Sequence, residues 1–128
     1  MRILGLCLVM SLLVACAPNT VGDLRKSPGS VTEMHLNENY QSVYRRLTTQ
    51  GRACFDVNLV TAQRMIRSEL YSDLGVAEIS YEMFGVNNEV YAVADIVKNG
   101  NGTTLKITSA KGSEEMDEVI KKHLAGRC

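Results

Sequence analysis

The sequence predicts an α+β fold: an N-terminal helix, a four-stranded antiparallel meander and a C-terminal helix, both helices packed on one face of the sheet. Three observations carry that reading. Apolar residues recur at helical spacing in residues 37–52 and again after residue 113, while between them the period falls to two. The stretches of period two are separated by tight, polar, Gly/Asn-rich connections. The third observation is register: all three connections place the same apolar residues on one face.

The first helix is expected from Asn37, a good N-cap type, to about Arg52. Tyr40, Val43, Tyr44 and Leu47 form its stripe, and Gly51 marks its end. Residues 55–62 read either as a loop or as a short helical turn leading into the sheet. Four strands follow at about 63–71, 75–84, 89–98 and 103–109, and Asn99-Gly100-Asn101-Gly102 is a strong hairpin signal. Pairing Phe84 with Glu89 sets Met83 against Val90, Tyr81 against Ala92, Ile79 against Ala94 and Ala77 against Ile96. Pairing Lys98 with Thr103 continues the face through Leu105 and Ile107, and pairing Tyr71 with Val76 adds Leu70 and Ile66. The other face carries Arg67, Glu69, Glu78, Glu82, Tyr91, Asp95 and Lys106 and is expected to be wet. The last helix starts at Ser113. Met116, Val119, Ile120 and Leu124 form its stripe, acids lie in its first turn, and Lys121, Lys122 and His123 complement the dipole at its end.

At 128 residues the chain suits one domain. Its formal charge is zero, so the totals show no nucleic-acid footprint, and no nucleic-acid partner is expected. The N-terminus is organised differently from the rest. Met1-Arg2 supplies a positive start, and residues 3–14 form an apolar run too short to span a bilayer, which needs about 20 residues. The run closes on Leu13-Val14-Ala15-Cys16, which resembles the lipobox of bacterial lipoproteins. That resemblance implies a signal peptide over residues 1–15 and a diacylglycerol on the Cys16 thiol, with an N-acyl chain on the new amine. It implies no other cofactor. Ala17, rather than Asp, implies sorting to the periplasmic face of the outer membrane by the tendency of enteric lipoproteins. Residues 16–34, with Pro18, Gly22, Pro28 and Gly29, read as a lipidated and flexible tether, leaving residues 35–128 as the domain.

Cleavage would remove Cys7 and lipidation would consume Cys16. Cys54 and Cys128 remain for an oxidising compartment. An intrachain bridge closes about 75 residues and stabilises by about 4 kcal/mol through loop-closure entropy; the alternative is Cys128 pairing with another protein. No phosphate loop, nucleophile elbow or zinc signature appears, so no enzymatic activity is expected. Met34-His35 with Met65 and Met83 contains copper-type donors, but Met83 and Met116 sit on expected core faces where Met fills gaps. Arg45, Arg46, Arg52, Arg64 and Arg67 face a single acid, Asp56, within residues 45–67, whereas residues 69–95 hold six acids and no Lys or Arg. The arginines either converge on an anion or acidic partner, or are solvated and locally paired.

Two functional expectations follow. One is a non-enzymatic interaction or assembly module docking on another envelope protein; the other is a small-ligand or lipid-binding domain using a gap lined by Tyr40, Tyr44, Tyr81 and Met83. Lipidation is directly testable. Cys16→Ser should release the protein from membranes or block its processing, and unchanged retention in detergent-free fractions would refute the anchor.

Overall fold

A computed structural model describes residues 17–128; the expected signal peptide and the expected lipidation at Cys16 lie outside the described residues. The architecture is α+β, with a six-stranded antiparallel sheet and three helices. In chain order these are α1 (Val21–Lys26), β1 (Ser30–Leu36), α2 (Tyr40–Cys54), β2 (Val57–Asn58), β3 (Gln63–Tyr71), β4 (Val76–Phe84), β5 (Glu89–Asn99), β6 (Gly102–Ser109) and α3 (Met116–Leu124). Strand order is β1-β6-β5-β4-β3-β2. The expected four-stranded meander, with helices on one face only, is therefore corrected: the meander β3–β6 is present, but it is extended at both edges and covered on both faces.

The correction begins in the segment expected to be a tether. Thr20 caps α1 by accepting from the Asp23 amide at 3.0 Å, and Pro18 O accepts from the Val90 amide at 2.9 Å. Leu24 is fully buried in a second core with Val90, Val93 and Ala110, and Val21 packs beside it. A six-residue helix shows only one apolar pair at i, i+3, too little for a periodic signal. β1 escapes the pattern for a different reason. Its main-core face presents Ser30, Thr32, Met34 and Leu36, so polar residues at the sheet edge dilute the alternation. Gly29 is not a linker glycine: a Cβ there would lie 2.6 Å from Lys111 N and 2.7 Å from the Ala110 carbonyl. The chain crosses β6 too closely for any side chain.

α2 runs from the β1 edge to the β2 edge and packs its stripe on the main core of Val43, Leu47, Ile66, Ile79, Ile96, Leu105 and Ile107. Its cap is Asn39, not Asn37, accepting from the Gln41 amide at 2.8 Å. The ambiguous stretch after α2 forms β2, which pairs only with Arg64 and Gln63. α3 starts at Met116, three residues later than expected, behind a turn closed by Met116 N donating to Ser113 O at 3.0 Å.

Register within the meander follows the expected pairs Tyr71–Val76, Leu70–Ala77, Tyr81–Ala92, Ile79–Ala94, Ala77–Ile96, Lys98–Thr103, Ile96–Leu105 and Ala94–Ile107. The expected pairs Phe84–Glu89 and Met83–Val90 are corrected: Glu89 pairs with Met83 and Val90 with Glu82, because the register shifts between Tyr81 and Glu82. An extra residue, Tyr91, is accommodated there as a bulge. It turns Tyr91 toward the main core, edge-to-face with Phe55 at 6.1 Å, and turns Val90 to the opposite face beneath Leu24. Tyr91 is thus not on the wet face.

If residues 18–29 are part of the domain, cutting into them must cost stability. Leu24→Ala should lose about 2–5 kcal/mol, as buried Leu truncations do. Urea unfolding of the oxidised protein measures it; a change below about 0.5 kcal/mol, the range of surface substitutions, would return the segment to a tether.

Candidate functional site

Sheet geometry divides the molecule into two ends. One holds the 59–62 and 85–88 turns, the ends of β3 and β6 (Gln63 and Ser109), and the entry of the chain at Pro18. The opposite end holds the 72–75 and 100–101 turns and the N-terminus of α2, where Tyr40 Oη donates to Ser72 O at 3.4 Å. α1 covers the outer face of the sheet only toward the first end.

Where α1 stops, two cross-strand rows are left facing outward. The first runs Glu69, Glu78, Asp95, Lys106 and Glu33 across five strands. Arg25 reaches down from α1 to Glu78 Oε2 at 2.9 Å and Asp95 Oδ1 at 2.5 Å, relieving repulsion between these neighbouring carboxylates. Burial pushes the Asp95 carboxyl above its usual range, and Arg25 pulls against that rise. The second row, one pleat further from α1, runs Tyr71, Val76, Val97, Thr104 and His35. Tyr71 is 44% exposed, Val97 41%, and Leu74 at the adjoining turn 69%. Apolar residues in neighbouring strand positions, backed by four carboxylates against Lys106 and Arg25, form a contiguous amphipathic surface.

The five arginines singled out in the sequence do not form one patch. Arg46 pairs with Glu38 and donates to Leu124 O at 3.0 Å, satisfying a carbonyl at the end of α3. Arg64 donates to Phe55 O at 3.1 Å at the end of α2 and lies 4.8 Å from the Phe55 ring centre. Arg52 donates to Ser68 at 3.2 Å, and Arg67, on the outer face, pairs with Glu82 at 3.3 Å. Arg45 is exposed on α2, sharing a shallow depression with Arg46. Locally paired side chains are what the structure shows for four of the five. Cys54 and Cys128 are at disulfide-bonding distance, with Cα atoms 5.5 Å apart across a separation of 74 residues.

The space expected as a ligand gap is filled by protein. Tyr81 is fully buried, edge-to-face with Phe55 at 5.0 Å and stacked on His123 at 5.8 Å, and Tyr40 is buried in the same core. Tyr91 Oη donates to Met83 Sδ at 3.3 Å. Met34 packs against the main core, whereas His35, its neighbour on β1, faces outward, so the two cannot share a metal. Among the described residues no group of three His, Cys, Asp or Glu side chains could hold a metal ion, and no helix is long and apolar enough to cross a membrane.

The expectation that His123 complements the helix dipole as a cation is corrected by its burial. It is 1% exposed, its Nδ1 lies 3.0 Å from Tyr81 Oη, and burial lowers its pKa. The i, i+3 and i, i+4 spacings of α3 place it on the Met116–Ile120 side, but a titratable residue directly after two lysines at a helix end carries no clear sequence signal for burial. A scan against protein-family models found no match for the chain, and a search of curated proteins found none either.

A neutral buried His has a consequence for pH. Unfolded His123 binds a proton near pH 6.5 while the folded residue resists it, so stability falls as pH drops below about 6.5. Thermal melts between pH 7.5 and 5 should show a steeper loss for the parent than for His123→Gln. Equal slopes would contradict the assignment; Asp95, whose raised pKa acts in the opposite direction at lower pH, is common to both and cancels.

Proposed function

We propose that the protein is a membrane-anchored periplasmic lipoprotein, held by acyl chains on Cys16 at the outer membrane, that acts as a non-enzymatic interaction or assembly module on another envelope protein. The observation that carries this reading is the outward-facing Tyr71–Val76–Val97 row with Leu74 beside it, at the end of the sheet away from the chain's entry. An exposed apolar row bordered by the Glu69–Glu78–Asp95 row suits a partner that offers apolar side chains next to basic ones. Aromatic and aliphatic anchors with a charged rim are the composition expected of a docking surface. A short α1 that leaves half the face open, fixed in place by Arg25, supports the same assignment. Because the chain is folded onto the sheet from Pro18, an anchor on Cys16 would hold this surface at a defined distance from the bilayer.

The test uses the intact protein in its own membranes. A photo-crosslinking residue replaces Tyr71 or Val97, with Ser42 on the outer side of α2 as the control. A discrete adduct from the first two positions, lost when Glu69 and Glu78 are changed to Lys, is the expected result. Adducts of the same size from Ser42, or none from Tyr71 and Val97, would remove this surface from the proposal.

A further inference from the structure

We infer that the first end of the sheet is a bilayer-contacting surface, in which Leu59 and Val60 of one turn and Val86 of the next insert among lipid headgroups beside the acyl anchor. This rests on the lipoprotein reading of Cys16, and adds which face of the domain meets the membrane. The two turns expose side chains of the wrong kind for water. Val60 is 104% exposed, Val86 97% and Leu59 58%, in positions where turns ordinarily carry polar residues. They lie side by side: a Cβ on Gly85 would sit 3.3 Å from Ala62 Cβ, so the two turns touch.

The occupant is chosen by where the chain outside the described residues begins. Pro18 is fastened to Val90, next to Glu89 where β5 leaves the Val86 turn. Cys16 is two residues upstream, and two trans peptide units span at most about 7 Å. Acyl chains on Cys16 must therefore enter the bilayer at this end, and a flexible tether, which would have left orientation free, does not intervene. Apolar turn tips beside a lipid attachment point share the bilayer interface as their nearest apolar phase. The attraction is apolar area rather than charge, since the neighbouring groove lined by Pro18, Glu89 and Lys111 carries both signs. The same docking points the Tyr71–Val97 row away from the lipid.

The chain has no Trp, so single tryptophans report position without background. Val60→Trp, Val86→Trp and, at the opposite end, Leu74→Trp are made in the full chain, and acylation of Cys16 is checked by mass spectrometry. The acylated proteins are reconstituted in vesicles of phosphatidylethanolamine and phosphatidylglycerol, with and without lipids bearing a nitroxide near the headgroup. The expected result is that nitroxide lipid quenches the indole emission of the Val60→Trp and Val86→Trp proteins, while the Leu74→Trp protein keeps its emission. The last variant controls for the affinity of indole itself for interfaces. Acylated protein with unquenched turn tips overturns the inference and leaves the anchor standing, the tips then being open to a protein or a second copy. Quenching at all three positions, or in the Leu74→Trp protein alone, overturns it as well. Absence of lipid on Cys16 overturns both readings.

Discussion

The burial of Leu24 beneath α1, with Arg25 clamped over Glu78 and Asp95, determines how the rest of the molecule is arranged. A sheet with one apolar face could have left its other face to water. Instead the bulge at Tyr91 delivers Val90 to the outer side, where it joins Val93 and Ala110 to receive Leu24. Ion pairs as exposed as those of Arg25 contribute little stability by themselves. Their role here is positional: with Glu69, Glu78 and Asp95 side by side across three strands, a cation is needed, and it comes from the segment with the least periodic sequence.

Fixing that segment changes what an anchor on Cys16 means physically. A long polar linker would decouple the domain from the membrane, and any surface could face any direction. With Pro18 bonded to β5, the orientation of an anchored domain would be a property of the fold. One end of the sheet receives the chain and carries apolar turn tips; the other carries an apolar row that α1 does not reach. Cys54 and Cys128 tie the end of α2 to the residues after α3, complementing the Arg46 contact that joins the same two helices further along.

The interior is closed around a polar contact. Tyr81 and His123 bring a hydroxyl and an imidazole into the main core, where they lie 3.0 Å apart and each satisfies the other. Burial lowers the His123 pKa and raises that of Tyr81, so both side chains favour their uncharged forms. The arginines follow the same logic of local satisfaction. Helix ends leave unpaired carbonyls, and Arg46 and Arg64 supply donors to two of them.

Legible in the sequence are the features written into periodicity and turn chemistry. The central meander, most of its cross-strand partners and both long helices can be read there, because period two, period 3.6 and Asn-Gly turns are local signals. The lipobox-like Leu13-Val14-Ala15-Cys16 is likewise a local pattern, read from residues that the described structure does not include. The sheet's edges, its second face and the places of the charged residues are set by tertiary contacts instead. α1 is too short for a stripe, β1 alternates polar with apolar residues at the edge, and a one-residue bulge leaves no mark in composition. Arg25 and His123 take their places from side chains 53 and 42 residues away in the chain, Glu78 and Tyr81, and Tyr91 takes its own from Phe55, which is also remote in sequence. No local window contains such pairs; they exist only once the sheet has brought them together.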